Sequence, residues 1–255
     1  MFHINDHIFY PMLYAWIGIA VLLLPLLLKV TAPYGKHTST RWGAMIPNRV
    51  GWMIMELPAL VVFALYFITG RNEKNLIAWI LFLLWTAHYL NRSLVFPVRI
   101  HTRGEKIPVL IVLMAIFFNL FNGFFNGHYL AYNQPGYSRE WITDPRFITG
   151  GILFVSGMII NVLSDNHLIR LRKYNKKGYS IPAGGLFDLV SCPNFFGEII
   201  EWTGFALMAW NPASLSFTVW TIVNLVPRAL DHHRWYKNHF ENYPVKRKAV
   251  IPFLI

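Results

Sequence analysis

The chain has 255 residues, of which 55% are hydrophobic and only 14% charged, and its formal net charge is +11. A water-soluble domain carries about 25% charged residues, so this composition, with a mean hydropathy of +0.39, excludes an ordinary soluble globule and favours an integral membrane protein. One cysteine, Cys192, excludes a disulfide framework or thiolate metal site within the chain.

Seven apolar segments follow in chain order: 9–28, 50–70, one starting at 76, one starting at 107, 147–163, 195–210 and 213–230. Each approaches the ~20 residues that a bilayer-spanning helix needs. The first is too long for a cleavable signal core and has no small-residue cleavage site after it. The expected fold is all-α: a single membrane domain over 1–255 with seven transmembrane helices. No inverted repeat or soluble linker domain stands out.

With seven spans, 19 of the 23 Lys and Arg residues fall on one side; only Arg71, Lys74, Arg139 and Arg146 fall on the other. The positive-inside rule then places the N-terminus outside and the C-terminus in the cytoplasm. The positive charge serves topology and anionic lipid, not nucleic acid, because the cations sit in short loops between spans. The longest inner loop, about 165–190, holds the turn-rich "IPAGGLF" and is expected to lie at the surface and fold over something. His3, His7 and His128 read as outer-surface residues.

Ionisable and amide groups inside such spans are costly and normally mark a bundle interior and a functional site. Asn161 and Asp165 step by four, as do Asn194 and Glu198, with Glu201 three further on; Arg228, His232 and Tyr236 step by four, and Tyr89 and Arg92 by three. Each set shares a helix face. All lie near the inner ends of their spans, so a polar chamber open to the cytoplasm houses them. Glu56 lies deeper, about seven residues into the second span. A carboxyl surrounded by apolar chain favours its neutral form, which can donate a hydrogen bond, as can the Tyr89 phenol. Adjacent His232 and His233 cannot share a helix face, and no third ligand has suitable spacing, so no metal is expected. Cations at the mouth of such a chamber suit a phosphate-bearing cofactor, but neither G-x-G-x-x-G nor a Walker loop is present. Nicotinamide, S-adenosylmethionine and coenzyme A all remain open on these grounds.

The segments "APYGKHT" (32–38), "ELP" (56–58), "HYLNRSLVFP" (88–97), "NVLSD" (161–165), "IPAGGLF" (181–187), "NFFGEIIEWTGFAL" (194–207) and "HHRWYKNHFENYPVKRKAVIPFL" (232–254) together resemble the steroid 5-alpha-reductase family, in order over about 32–255. The resemblance implies reduction of the 4,5 double bond of 3-oxo-4-ene steroids by NADPH, in a seven-helix membrane bundle with a cytosol-facing cofactor cavity. It implies that Glu56 and Tyr89 contact the 3-keto oxygen. It places Asn161, Asp165, Arg172, Tyr179, Asn194, Glu198, Arg228, His232 and Tyr236 at NADPH-binding positions, with Tyr34, Lys36, Arg92 and Arg103 as further candidates. Glu201, one turn deeper, is expected to orient Asn194 and Glu198. The substrate side falls mainly in 1–130 and the cofactor side mainly in 145–255. A bacterial inner membrane or the endoplasmic reticulum would suit such an enzyme, and no obligate protein partner is implied.

Several positions depart from the family pattern. Met55 stands where animal members often have Gln, Thr102 and Glu105 interrupt a common Asn-Arg-Gly-Arg, Ser180 replaces an Arg, and Asp231 replaces a His. The rival readings are an enoyl-thioester or polyprenol reductase of the same fold, a membrane methyltransferase using S-adenosylmethionine, and a transporter. The methyltransferase leaves the Glu56–Tyr89 pair unexplained. The transporter lacks an inverted repeat.

Overall fold

A computed structural model of the chain describes residues 3–102, 104–133, 136–174 and 178–255. Helix α1 spans Asp6–Leu27, and Asn5 caps it by accepting from the amide of Ile8. It is followed by α2 (Asn48–Thr69), α3 (Leu76–Leu90), a π turn (Asn91–Val95), the short α4 (Phe96–Arg99) and α5 (Val109–His128). Helices α6 (Pro145–Tyr174), α7 (Pro193–Ala209) and α8 (Pro212–His239) complete the bundle. Each expected apolar segment thus falls on a helix. By length and composition, four stretches among the described residues qualify as membrane spans: Asp6–Leu27, Asn48–Thr69, Val109–Asn133 and Pro145–Tyr174. Leu22, Ile68, Leu83, Leu113 and Ile152 lie exposed on the outer surface, as lipid-facing side chains would.

Glycine decides how closely the helices approach. Gly150 and Gly157 on α6 meet Gly204 and Gly197 on α7. A Cβ on Gly157 would sit 2.5 Å from the Gly197 carbonyl, and one on Gly150 would sit 2.6 Å from that of Gly204. Gly123 and Gly127 on α5 pack in the same way on the backbone of α2 at Ala59 and Phe63. Small residues at such spacings let backbones touch where no hydrophobic effect drives helices together. A two-stranded antiparallel ribbon, β1 (Met45–Pro47) with β2 (Lys106–Pro108), ties the entry of α2 to the entry of α5.

The aromatic core supports this frame. Trp85 stacks on Phe63 at 4.4 Å, Trp202 meets Phe217 at 4.2 Å, and Trp16 meets Trp220 at 4.5 Å between α1 and α8. Pro58 removes a backbone bond within α2. That turn is braced from outside: the Asn119 amide donates to the Met55 carbonyl at 2.6 Å, and the Trp85 indole donates to the Ala59 carbonyl at 3.2 Å.

Two expectations about the chain are corrected. Helix α6 continues to Tyr174, well beyond the apolar segment ending at 163, so Arg172 is helical along with Asp165 and the loop expected over about 165–190 starts later. His128 is not an outer-surface residue but is fully buried. Its Nε2 accepts from the Ile4 amide at 3.1 Å, its Nδ1 donates to Asn133 Oδ1 at 2.8 Å, and its ring stacks on Phe9 at 4.7 Å. His3 and His7 are exposed. The "IPAGGLF" segment does cover the C-terminal part of α6, with Phe187 buried against His167, and the C-terminal tail grips it through Arg247, which donates to the Pro182 carbonyl at 3.0 Å.

Candidate functional site

Tyr89, near the C-terminal end of α3, is 2% exposed and walled by Trp85, Trp202 and Phe217 at ring distances of 5.0, 5.9 and 6.5 Å. Its hydroxyl oxygen accepts from Asn122 Nδ2 of α5 at 3.0 Å. The Glu56 carboxyl on α2 is partly buried and acts electrostatically on both Tyr89 and Arg92. Three elements, α2, α3 and α5, therefore bring one phenol, one carboxyl and one amide together among aromatic rings.

Beside this group lies a polar network built by the close α6–α7 contact. Asn194 donates to Asp165 Oδ1 at 3.0 Å, and Asn161 donates to the Asn194 carbonyl at 3.0 Å and to Glu198 Oε2 at 3.4 Å. Arg92, in the π turn after α3, donates to Asp165 Oδ2 at 3.3 Å and lies over the rings of Trp52 and Phe96. Glu198, Glu56, Asp165 and Glu201 surround its guanidinium at electrostatic range. Glu201 does not orient Asn194 and Glu198, as the sequence reading expected. It turns toward α3, with its Oε1 2.8 Å from His88 Nδ1, because the α7 face three residues past Glu198 looks at α3.

A second, cationic cluster lies at the same end of the bundle. Arg228 on α8 donates to the carbonyls of Ala32 and Tyr34 at 2.5 and 2.6 Å and lies over the Tyr34 ring at 3.8 Å. One turn on, His232 Nδ1 lies 3.3 Å from His37 Nε2, and a turn further Lys36 lies over the Tyr236 ring at 3.7 Å. The i, i+4, i+8 ladder on α8 thus clasps residues 32–37. Burial, with Arg228 and Arg172 alongside, pushes the Lys36 ammonium down to about 7. Burial likewise pushes His37 down to about 4 and the Cys192 thiol up to about 12. Arg172 donates to the Tyr179 hydroxyl at 2.5 Å and to Glu105 at 3.2 Å. Phe195 on α7, next to Asn194 in the chain, stacks on His232 at 5.7 Å. His233 faces the other way, toward Ser191 at 2.6 Å. Among the described residues no group of three or more His, Cys, Asp or Glu could hold a metal.

Of the expected site residues, Asn161, Asp165, Asn194, Glu198 and Arg92 meet in one network, while Tyr34, Lys36, Arg228, His232 and Tyr236 meet in the other. Arg172 and Tyr179 pair at the edge of the second. Arg103 lies outside the described residues. Sequence reasoning missed Asn119, Asn122 and Asn126, whereas His88 stood out beside Tyr89 and Arg92 as a polar group in an apolar span. The three asparagines did leave a signal: amides at i, i+3 and i+7 in an otherwise apolar segment.

Apolar helices of membrane-spanning length and outward-facing aliphatic side chains are those of a membrane protein. The profile of the 3-oxo-5-alpha-steroid 4-dehydrogenase family matches residues 105–255. A steroid 5-alpha-reductase of Arabidopsis thaliana is 42% identical over 236 residues, covering 90% of each chain. The 3-oxo-5-alpha-steroid 4-dehydrogenase 1 of Bos taurus is 40% identical over 242 residues, covering 93% of each. That of Homo sapiens is 40% identical over 229 residues, covering 89% of this chain and 87% of its own. The chain belongs to this family of oxidoreductases acting on carbon–carbon double bonds.

Proposed function

We propose that this enzyme reduces the 4,5 double bond of 3-oxo-4-ene steroids with NADPH, and that Glu56 and Tyr89 polarise the 3-keto oxygen. The observation that carries the reading is the buried Tyr89 phenol, packed against Trp85, Trp202 and Phe217 with Glu56 within electrostatic reach; the space the steroid takes against these rings is the slot of this reading. Addition of hydride at C5 moves the π electrons toward O3, where negative charge grows as C4=C3–O forms. A phenol and a carboxyl aimed at that oxygen stabilise the charge, and the dry surroundings strengthen the effect. A proton then reaches C4, so that enone, hydride and proton balance the saturated ketone.

The residues at the inner end fit the cofactor. Lys36, Arg172 and Arg228 supply cations near the Tyr34, Tyr179 and Tyr236 rings, and Asn161, Asp165, Asn194 and Glu198 supply the donors and acceptors that ribose and carboxamide groups require. Arg228 Nε and Glu201 Oε2 are buried without a hydrogen-bond partner among the described residues. NADPH bound here supplies the hydride. Arg92 and the α6–α7 network orient the polar groups beside the slot, and the aromatic walls exclude water from it. The slot draws mainly on residues 1–130. The cofactor chamber draws mainly on 145–255, joined by the 32–37 loop.

All seven long helices cross the bilayer in this reading, with the N-terminus outside. The asymmetry of Lys and Arg supports it, as does the gathering of Lys36, Arg92, Arg172 and Arg228 at one end of the bundle. The chamber then opens to the cytoplasm and the steroid reaches the slot from the lipid. The test follows loss of NADPH absorbance with a 3-oxo-4-ene steroid. Glu56→Gln and Tyr89→Phe each lower kcat by ~10²–10³. Full turnover by both variants, or NADH serving as well as NADPH, would overturn the reading.

A further inference from the structure

Helix α5 carries three buried amides on one face, Asn119, Asn122 and Asn126, each 3–4% exposed. A buried amide in an apolar helix is costly unless bonded. Here each is bonded, and the bonding has a fixed direction.

The direction is set by a backbone carbonyl, which can only accept. Asn126 Nδ2 lies 3.0 Å from the Asn122 carbonyl oxygen, so the atom facing it must be the Asn126 amine. The same nitrogen lies 3.1 Å from Asn122 Oδ1, so that atom must be the accepting end of the Asn122 amide. The other end, Nδ2, is therefore what faces the Tyr89 hydroxyl oxygen at 3.0 Å. A hydroxyl has one hydrogen, and it cannot point at a donor. Close packing holds the arrangement together: Gly123 and Gly127 let α5 sit directly on the α2 backbone, where Asn119 reaches the Met55 carbonyl beside Glu56.

We propose that Asn122, locked by Asn126, is a positioning residue that turns the Tyr89 O–H away from the protein and onto the substrate oxygen. The chain Asn126 to Asn122 to Tyr89 runs donor to acceptor throughout, so each bond polarises the next and the phenol is a stronger donor than an isolated tyrosine. It acts most as charge grows on the ketone, and therefore on kcat more than on substrate binding. The inference rests on the reading of Tyr89 as the group that meets the ketone.

The experiment is a double-mutant cycle on the purified enzyme with NADPH and a 3-oxo-4-ene steroid. Asn122→Ala is expected to lower kcat about tenfold, with the steroid KM within about twofold of the parent. In the Tyr89→Phe background the same substitution is expected to cost nothing further, because no phenolic hydrogen is left to aim. Should Asn122→Ala fail to fold, Asn126→Ala removes only the lock; it is expected to lower kcat about threefold with Tyr89 present and not at all in the Tyr89→Phe background. Equal losses in both backgrounds, or no loss in either, would overturn the role of Asn122 while leaving that of Tyr89 standing. Full turnover by Tyr89→Phe alone would overturn both.

Discussion

His88 Nδ1 on α3 lies 2.8 Å from Glu201 Oε1 on α7, and the Glu201 side chain is wholly shielded from solvent. Removing one partner of such a contact leaves the other buried and unpaired. Glu201→Leu is expected to destabilise the protein by about 3 kcal/mol, measured by thermal unfolding in detergent micelles. The double variant His88→Phe/Glu201→Leu is expected to recover much of that loss, since two apolar groups leave no orphan. A double variant no more stable than the single one would show that the pair is held for another reason.

The α6–α7 contact is expected to tolerate no side chain at its glycines. Gly157→Ala places a methyl group 2.5 Å from the Gly197 carbonyl, and both positions are backbone that cannot swing aside. The helices must separate, which costs about 1–3 kcal/mol or more. The same separation pulls Asn161 and Asp165 away from Asn194. Dye-based thermal shift in micelles and the NADPH KM check this together: both worsen, whereas Gly151→Ala, with only Met208 side-chain atoms near at 3.9 Å, changes neither.

Lys36 gives a pH dependence with a definite sign. Its folded value of about 7 lies below the ordinary 10.5, so the unfolded chain binds more protons between these limits and the ligand-free protein gains stability as pH rises from about 7 toward 10.5. A phosphate beside the amine favours the ammonium and reverses the preference. Cofactor binding should therefore take up a proton above pH 7, and affinity should fall as pH rises through 7–9. Isothermal titration of NADPH in two buffers of different ionisation enthalpy reads the proton directly. Lys36→Met is expected to weaken binding at pH 6.5 and to remove the pH dependence.

Arg228→Lys separates charge from geometry. A guanidinium reaches the Ala32 and Tyr34 carbonyls at once, whereas an ammonium on a shorter stem cannot hold both. The 32–37 loop loosens while the charge stays. The NADPH KM is expected to rise about tenfold with kcat nearly unchanged. An equal fall in kcat would place Arg228 nearer the reacting atoms than its contacts indicate.

The helices and their order were legible in the sequence, because hydropathy acts locally along a chain. So were the polar ladders on α6, α7 and α8: residues four apart share a face in any helix, and Asn161 with Asp165, or Arg228 with His232, needed no further information. The family pattern was legible for the same reason, since it is written in consecutive residues. What each ladder touches was not. Arg228 matches a cofactor-binding position, yet both its terminal nitrogens hold the 32–34 backbone. Glu201 continues the Asn194–Glu198 ladder by spacing, yet it belongs to His88. His128 looks like an outer-surface residue and is a buried brace for the N-terminus. Asn122 sits in a stretch that hydropathy scores as plain membrane helix, and its partner is 33 residues away on another helix. Hydropathy and spacing report one segment at a time, whereas a hydrogen bond between helices depends on their separation and relative rotation. Those were set by glycines at Gly123, Gly127, Gly150, Gly157, Gly197 and Gly204, whose effect exists only when two helices meet.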